Sequence, residues 1–253
     1  MRKAKSKIKV LLLFVSVFSA SCIETKTFVK TSDDHLSRLG TPPTYYGAFS
    51  SFIYFNNEGN GVTSDSLTLL GNKLFDSIVK KNFKKVPKLQ KDFLNDTLNG
   101  QRLALELINL IGFANENGSI RQYQPSSDIL SKLTNDFQGD NFAFIVPAGY
   151  VRSPLNYSKE RSKRPLDERK NIGISAGLAV ASLLLSGGKT VFISYNTHKN
   201  KIKKYGSSCH LIVYSRDRNE IIFYRQQYFN GTIKPIDQKK VKKQLEYLLK
   251  EYL

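Results

Sequence analysis

The first 22 residues constrain everything that follows. The chain opens MRKAKSKIK, where Arg2, Lys3, Lys5, Lys7 and Lys9 carry charge with no acid among them. Residues 10–18 (VLLLFVSVF) are then apolar, but the run falls far short of the roughly 20 residues that a membrane-spanning helix needs. Small side chains, Ser19-Ala20-Ser21, close it. A basic start, a short apolar middle and a small-residue exit are the parts of a secretory signal peptide. A buried N-terminal helix would instead crowd five cations against the positive end of its own dipole. Residues 1–21 are therefore read as a removable export signal, so the fold is built from residue 22 onward in a compartment that permits disulfides.

Cys22 follows the signal directly, and Ser19-Ala20-Ser21-Cys22 resembles the lipobox of bacterial lipoproteins, with Ser19 where that box usually has leucine. The resemblance implies that signal removal leaves Cys22 as the N-terminus, with a diacylglycerol on its thiol and a fatty acyl chain on its amine. Each buried CH₂ contributes about 0.8 kcal/mol, so two or three chains hold durably where one would be marginal. The alternative use of Cys22 is a disulfide with Cys209, the only other cysteine. Ile23 stands where an Asp would mark inner-membrane retention, which favours an outer-membrane address with the domain facing the periplasm. The formal charge of +18 loses five cations and no acid with the signal, leaving about +13. A balance this basic suits either nucleic acid or an anionic membrane surface. Export argues against nucleic acid as a partner and for the lipid bilayer, reached through acylated Cys22.

Residues 22–44 are polar, end in Pro42-Pro43 and show no sustained period, which predicts a lipidated tether. Residues 45–253 are expected to form one domain. Strands are expected over Tyr46–Phe55, Asn141–Val151 (with a bulge or an edge at Pro147), Thr190–Thr197, Ser207–Ser215 and Glu220–Phe229. Helical spacing recurs in Leu67, Leu70, Leu74, Ile78; in Leu103, Leu107, Leu110, Ile111; in Ile129, Leu130, Leu133, Phe137 after a Ser126/Ser127 cap; and in Val241, Leu245, Leu248, Leu249, Tyr252. Phe83–Pro87 could add an edge strand. The order is not the strict alternation of a doubly wound fold. It predicts an α/β (α+β) single domain, a mixed or largely antiparallel sheet packed by helices.

Catalytic patterns are sparse. Ser186-Gly187-Gly188-Lys189-Thr190 ends like a phosphate loop, but Leu183 occupies the position of the first glycine. Ser77-Ile78-Val79-Lys80 fits S-x-x-K without the motifs that accompany it in penicillin-recognising enzymes. Cys209-His210 is no thiol–base pair if it lies on a strand, since adjacent side chains point to opposite faces. His35 and His198 lack metal-ligand spacing, and no cofactor or metal site is expected. Arg161, Lys163, Arg164, Lys201, Lys203 and Lys204 are expected to form a basic surface facing anionic lipid. Residues 172–185, apolar and rich in small side chains, contain Ile172, Gly173, Gly177, Leu183, Leu184 and Leu185. They are read as an insertion that packs as a helix against the sheet, or that touches membrane or a second protomer; on a helix, Gly173 and Gly177 would lie one turn apart.

With those elements placed, the domain resembles the curli-production assembly/transport family of bacterial outer-membrane lipoproteins. The resemblance lies in the lipidated start, the helix after the first strand, Phe83-Lys84-Lys85-Val86-Pro87-Lys88-Leu89, the strand Phe142–Tyr150 and Cys209–Tyr214 with Ile221–Tyr224 around a charged hairpin. It implies a non-enzymatic, membrane-anchored lipoprotein with protein partners in the cell envelope, an accessory or assembly factor. It implies, as the alternative, an oligomeric secretion-pore subunit. Residues 172–185 alternate poorly for a pore strand, and an exported hydrolase would need a nucleophile constellation that the sequence does not supply.

Overall fold

A computed structural model describes residues 23–34, 36–39, 41–83, 97–126, 128–162, 175–181, 190–196, 204–229 and 234–250. Its centre is β5 (Asn141–Arg152), an almost wholly apolar strand flanked on both sides. On one side β8 (Tyr205–Ser215) pairs with it antiparallel, β9 (Glu220–Phe229) with β8, and β1 (Ile23–Val29) with β9. On the other side β2 (Thr44–Ala48) and β3 (Ser51–Phe55) run parallel to β5 in succession, and β4 (Gly61–Thr63) closes that edge antiparallel to β3. The result is a seven-stranded mixed sheet with helices on its faces, an α+β domain.

Pro147 occupies neither an edge nor a bulge of its own strand: it pairs with Cys209 in the middle of the sheet. The irregularity sits on the neighbour. Ala48 aligns with Ile145 and Ser51 with Ala148, so the break between β2 and β3 falls opposite Pro147. A proline has no N–H to give the ladder, and the partner strand is interrupted where that donor is missing.

Alternation along the strands separates two cores. One face carries Phe142, Phe144, Val146, Ile212, Tyr214 and Tyr224 beneath α2 (Thr97–Asn117) and the short α3 (Ile129–Thr134). The other carries Ala143, Ile145, Cys209, Leu211, Val213 and Phe223 beneath α1 (Asp65–Asn82) and α5 (Gln238–Leu248). Ser64 caps α1 by accepting from the Leu67 N–H, and Asp237 caps α5 by accepting from the Lys240 N–H. The buried stripe of α1 is Gly71, Phe75, Ile78 and Val79, with Leu70 exposed. The expected stripe is displaced because Gly71 alone lets the helix approach: a Cβ there would run into the Phe52 ring and Ser50. Asp128, not Ser126, stands at the N-cap of α3. Ser126 is drawn away by buried Glu106, which accepts from its N–H (2.9 Å) and hydroxyl (2.5 Å) and from the Tyr123 hydroxyl (2.6 Å).

Three further features depart from the sequence reading. The polar segment 22–44 is not a free tether: its residues 23–29 form β1, a full strand of the sheet, and Lys30 N–H still donates to Ile222 O. An edge strand bonded on one side needs no apolar alternation, so its sequence reads as linker. Residues 175–181 are not a helix but β6 (Ser175–Ala181), paired antiparallel with β7 (Thr190–Asn196) in a separate two-stranded sheet. The basic, proline-marked residues 152–170, given no element by the sequence reading, begin with α4 (Pro154–Ser162), started by Ser153, whose hydroxyl accepts from the Asn156 N–H, and by proline in the first turn. Lys84–Pro87, Cys22, His35, His198 and Tyr252 lie outside the described residues.

Candidate functional site

Register fixes which features share an end of the sheet. Ile23 aligns with Phe229, Phe229 with Ser207, Ser207 with Gly149 and Gly149 with Phe52. Ile23 is the first residue of β1, so the position next to it in sequence, Cys22, is tied to the end of the sheet where β5 and β3 finish and β8 begins. This end, called the anchor end after the acylation expected at Cys22, also carries α4, held by Ser153 N–H donating to Phe55 O and by Arg152 Nη1 donating to Asn156 Oδ1 (both 2.9 Å). The Arg152 guanidinium lies over the Phe55 ring at 4.4 Å, and its backbone N–H donates to Lys204 O.

The two ends differ in charge. At the far end cations and acids interleave: Lys30 meets Glu220 (3.7 Å), Arg216 meets Asp140 (3.6 Å), Arg38 meets Asp33 (3.7 Å), and Arg218 bonds buried Asp34. On the anchor-end elements Arg152, Lys159, Arg161, Lys204, Lys234, Lys239 and Lys240 outnumber Glu24, Glu58, Asp65, Glu160 and Asp237, whereas Lys26 lies mid-sheet, aligned through Gln226 and His210 with Val146. Of the expected basic surface, Arg161 is exposed on α4 and Lys204 half-buried beside β8, at the same end. Lys163, Arg164, Lys201 and Lys203 lie outside the described residues, as do Ile172, Gly173, Leu183, Leu184 and Leu185; Gly177 is on β6. Ser162 and Lys204, where the basic stretches join the described structure, both stand at the anchor end.

A disulfide between Cys22 and Cys209 does not fit this register. Cys209 aligns with Gln227 and Gln227 with Thr25. At about 4.8 Å per strand and 3.4 Å per residue, Ile23 is roughly 12 Å from Cys209. That is further than one residue can shorten to the 4.4–6.8 Å or so that a disulfide spans. Cys209 is a free, fully buried thiol, and burial pushes its pKa well up.

On the opposite face of β8 the structure shows a group that sequence reasoning passed over. Ser208 Oγ lies 2.9 Å from His210 Nε2, His210 Nδ1 lies 2.9 Å from the Tyr224 hydroxyl, and that hydroxyl donates to Gln226 Oε1 at 2.8 Å. Tyr224 gives its proton to Gln226, so it accepts from Nδ1–H, which leaves Nε2 to accept from Ser208. Burial lowers the His210 pKa to about 3, so the ring is neutral. A serine on a positioned imidazole has the geometry of an activated nucleophile, but Ser208 is 1% exposed and His210 0%. The pair presents nothing to solvent; it joins β8 to β9 through side chains. The readable trace was S-x-H on one strand and Y-x-Q on the next.

Ser77 and Lys80 are both exposed on α1, and Thr190 of the glycine-lysine stretch opens β7. Among the described residues no group of three His, Cys, Asp or Glu side chains could hold a metal, and no helix is long and apolar enough to cross a membrane. No protein-family model matches the chain and no curated protein matches it.

Proposed function

We propose that the chain is an exported, lipid-anchored protein of the bacterial envelope. It is held to the membrane by acylated Cys22 and acts without catalysis, as an accessory or assembly factor that binds envelope or secretion components. The observation that carries the reading is the position of β1. The strand that begins at Ile23 ties the acylation site to the end of the sheet where, among the described residues, cations outnumber acids, and where anionic headgroups would meet it. The lipobox-like residues and the export signal support the same anchor, and the outer membrane, with the domain in the periplasm, is its proposed place. Replacing Cys22 by Ala and fractionating cells tests it: the substituted chain should leave the membrane fraction and keep its signal. An unchanged distribution would refute the anchor.

A pore subunit is the second reading, favoured by one observation. The β6–β7 register sets Ala176, Leu178 and Val180 against Tyr195, Ile193 and Val191, and Ser175, Gly177, Ala179 and Ala181 against Asn196, Ser194, Phe192 and Thr190, with Phe192 the one large apolar residue of the second set. One alternating set is therefore apolar and the other mostly small or polar, as in a membrane hairpin. Length weighs against it. Seven residues per strand rise about 23 Å, or about 18 Å at a 40° tilt, short of the roughly 25 Å apolar band. Native size in detergent separates the two: a ring-sized assembly would select the pore, a monomer the accessory protein.

A further inference from the structure

We infer that the domain makes a second contact with the bilayer, through the corner of the anchor end farthest from Cys22. This inference rests on the proposed Cys22 anchor for its orientation but uses different residues. The corner is built from the β3–β4 hairpin, the first turns of α1 and α4, which packs against that hairpin through Asn156 beside Gly59. Among the described residues six large apolar side chains are conspicuously exposed, and five belong to these elements: Tyr54, Val62, Leu69, Leu70 and Leu155. Tyr54 and Val62 are cross-strand partners. Leu155, 48% exposed, stands on the turn of α4 that follows the capping Ser153.

The occupant is an anionic bilayer, for two reasons. The first is continuity with the anchor. β1 and β4 are the two edges of the sheet, about 24 Å apart at the usual strand spacing. Cys22 is joined to one edge and the apolar corner lies at the other, both toward the same end. A bilayer reached by the acyl chains is therefore presented to the corner as well, and the two contacts fix the sheet end-on to the surface. The second is charge. Arg152 ends β5 and Lys204 precedes β8, strands that lie between the two edges, and Lys159 and Arg161 stand on α4 at the corner itself; juxtamembrane cations are attracted to anionic headgroups beside an inserted apolar group.

The chain has no tryptophan, so one introduced residue reports alone. The acylated chain carrying Leu155→Trp is reconstituted into vesicles of phosphatidylglycerol and bromine-labelled phosphatidylcholine. Tyr247→Trp, exposed on the part of α5 that leads away from the anchor end, is the control. The expected result is that the tryptophan at 155 shifts to the blue and loses most of its emission to the bromolipid, while that at 247 keeps its own. Leu70→Trp reads the same corner if the first variant folds poorly. Flotation with the vesicles and an unquenched residue 155 would overturn the corner contact and leave the Cys22 anchor standing, the result expected if a protein covers this surface. Quenching at 155 without acyl-dependent flotation would support the contact and overturn the anchor. Equal quenching at 155 and 247 would overturn the oriented docking.

Discussion

Acidification should weaken this fold through His210, and the size of the effect follows from its surroundings. The ring is fully buried, donates from Nδ1 to Tyr224, accepts at Nε2 from Ser208 and stacks on the Tyr224 ring at a 5.9 Å centroid separation. A second proton would turn Nε2 from acceptor to donor against a hydroxyl that already points at it, and would place a charge where water cannot follow. The folded pKa is accordingly depressed from 6.5 to about 3. The unfolded chain then binds a proton near pH 6.5 that the folded chain refuses until about pH 3. Stability from this group is complete above pH 6.5 and is lost as pH falls through that window. At about 1.4 kcal/mol per unit, going from pH 7 to pH 5 should remove roughly 2 kcal/mol through this histidine alone. The assay is urea unfolding at pH 7, 6 and 5 for the natural chain and for His210→Gln, which cannot titrate. All other acids and histidines are common to both, so the difference between the two pH slopes isolates the ring. A variant less stable at pH 7, but with its slope flatter by about that amount, fits the argument. Equal slopes would refute it, because they would mean that His210 takes its proton in the folded state as easily as in the unfolded one.

Gly71→Ala should cost about 1–3 kcal/mol by thermal or urea unfolding, since its Cβ meets Phe52 and Ser50 and α1 must lift from the sheet. Glu106→Ala strands the Tyr123 and Ser126 donors it now satisfies and should cost about 2–4 kcal/mol, with Tyr123→Phe near 1. Asp237→Ala removes the α5 cap and should cost about 1 kcal/mol in the same assay. A thiol reagent should label nothing in the native acylated protein and one group per chain after unfolding, because Cys209 is buried and its thiolate suppressed; two groups would mean that Cys22 carries no thioether.

Elements that bury one face announce themselves, and elements that do not stay silent. β8, β9, α2 and α5 are legible because Leu211, Val213 and Phe223, or Leu103, Leu107 and Val241, must repeat at the period of their own geometry to reach a core. β1 carries Thr25, Lys26 and Thr27 at an edge bonded on one side only, so composition says linker while backbone pairing makes a strand. α4 hides in a charged stretch, although Ser153-Pro154 is a start signal that could have been read. In α1 the apolar period points to Leu70, yet the close approach at Gly71 rotates the helix and leaves Leu69 and Leu70 in solvent. The polar chain of His210 is spread over two strands, and only register brings S-x-H beside Y-x-Q. The anchor end is partly legible for a related reason: sequence supplies the cations and Cys22 but not the strand order that gathers them.

That strand order changes what an anchor at Cys22 would mean. A lipoprotein with some twenty free residues between lipid and domain could reach partners well away from the bilayer, since a flexible linker spans about 5–6 Å times the square root of its length. Here β1 begins at the next residue and continues in register to Val29 against Phe223. Freeing a tether would require breaking that whole ladder and taking Lys30 from Ile222 and Glu220. A chain acylated at Cys22 would therefore sit with its anchor end on the membrane, not above it. Its far end, where Arg218 pairs with Asp34 and Arg216 with Asp140, would face away from the surface, offering a partner alternating charges in place of a basic field. A soluble partner of the anchored protein should then be sought against the β8–β9 hairpin and the residues around Asp34, and a membrane-embedded one beside α4.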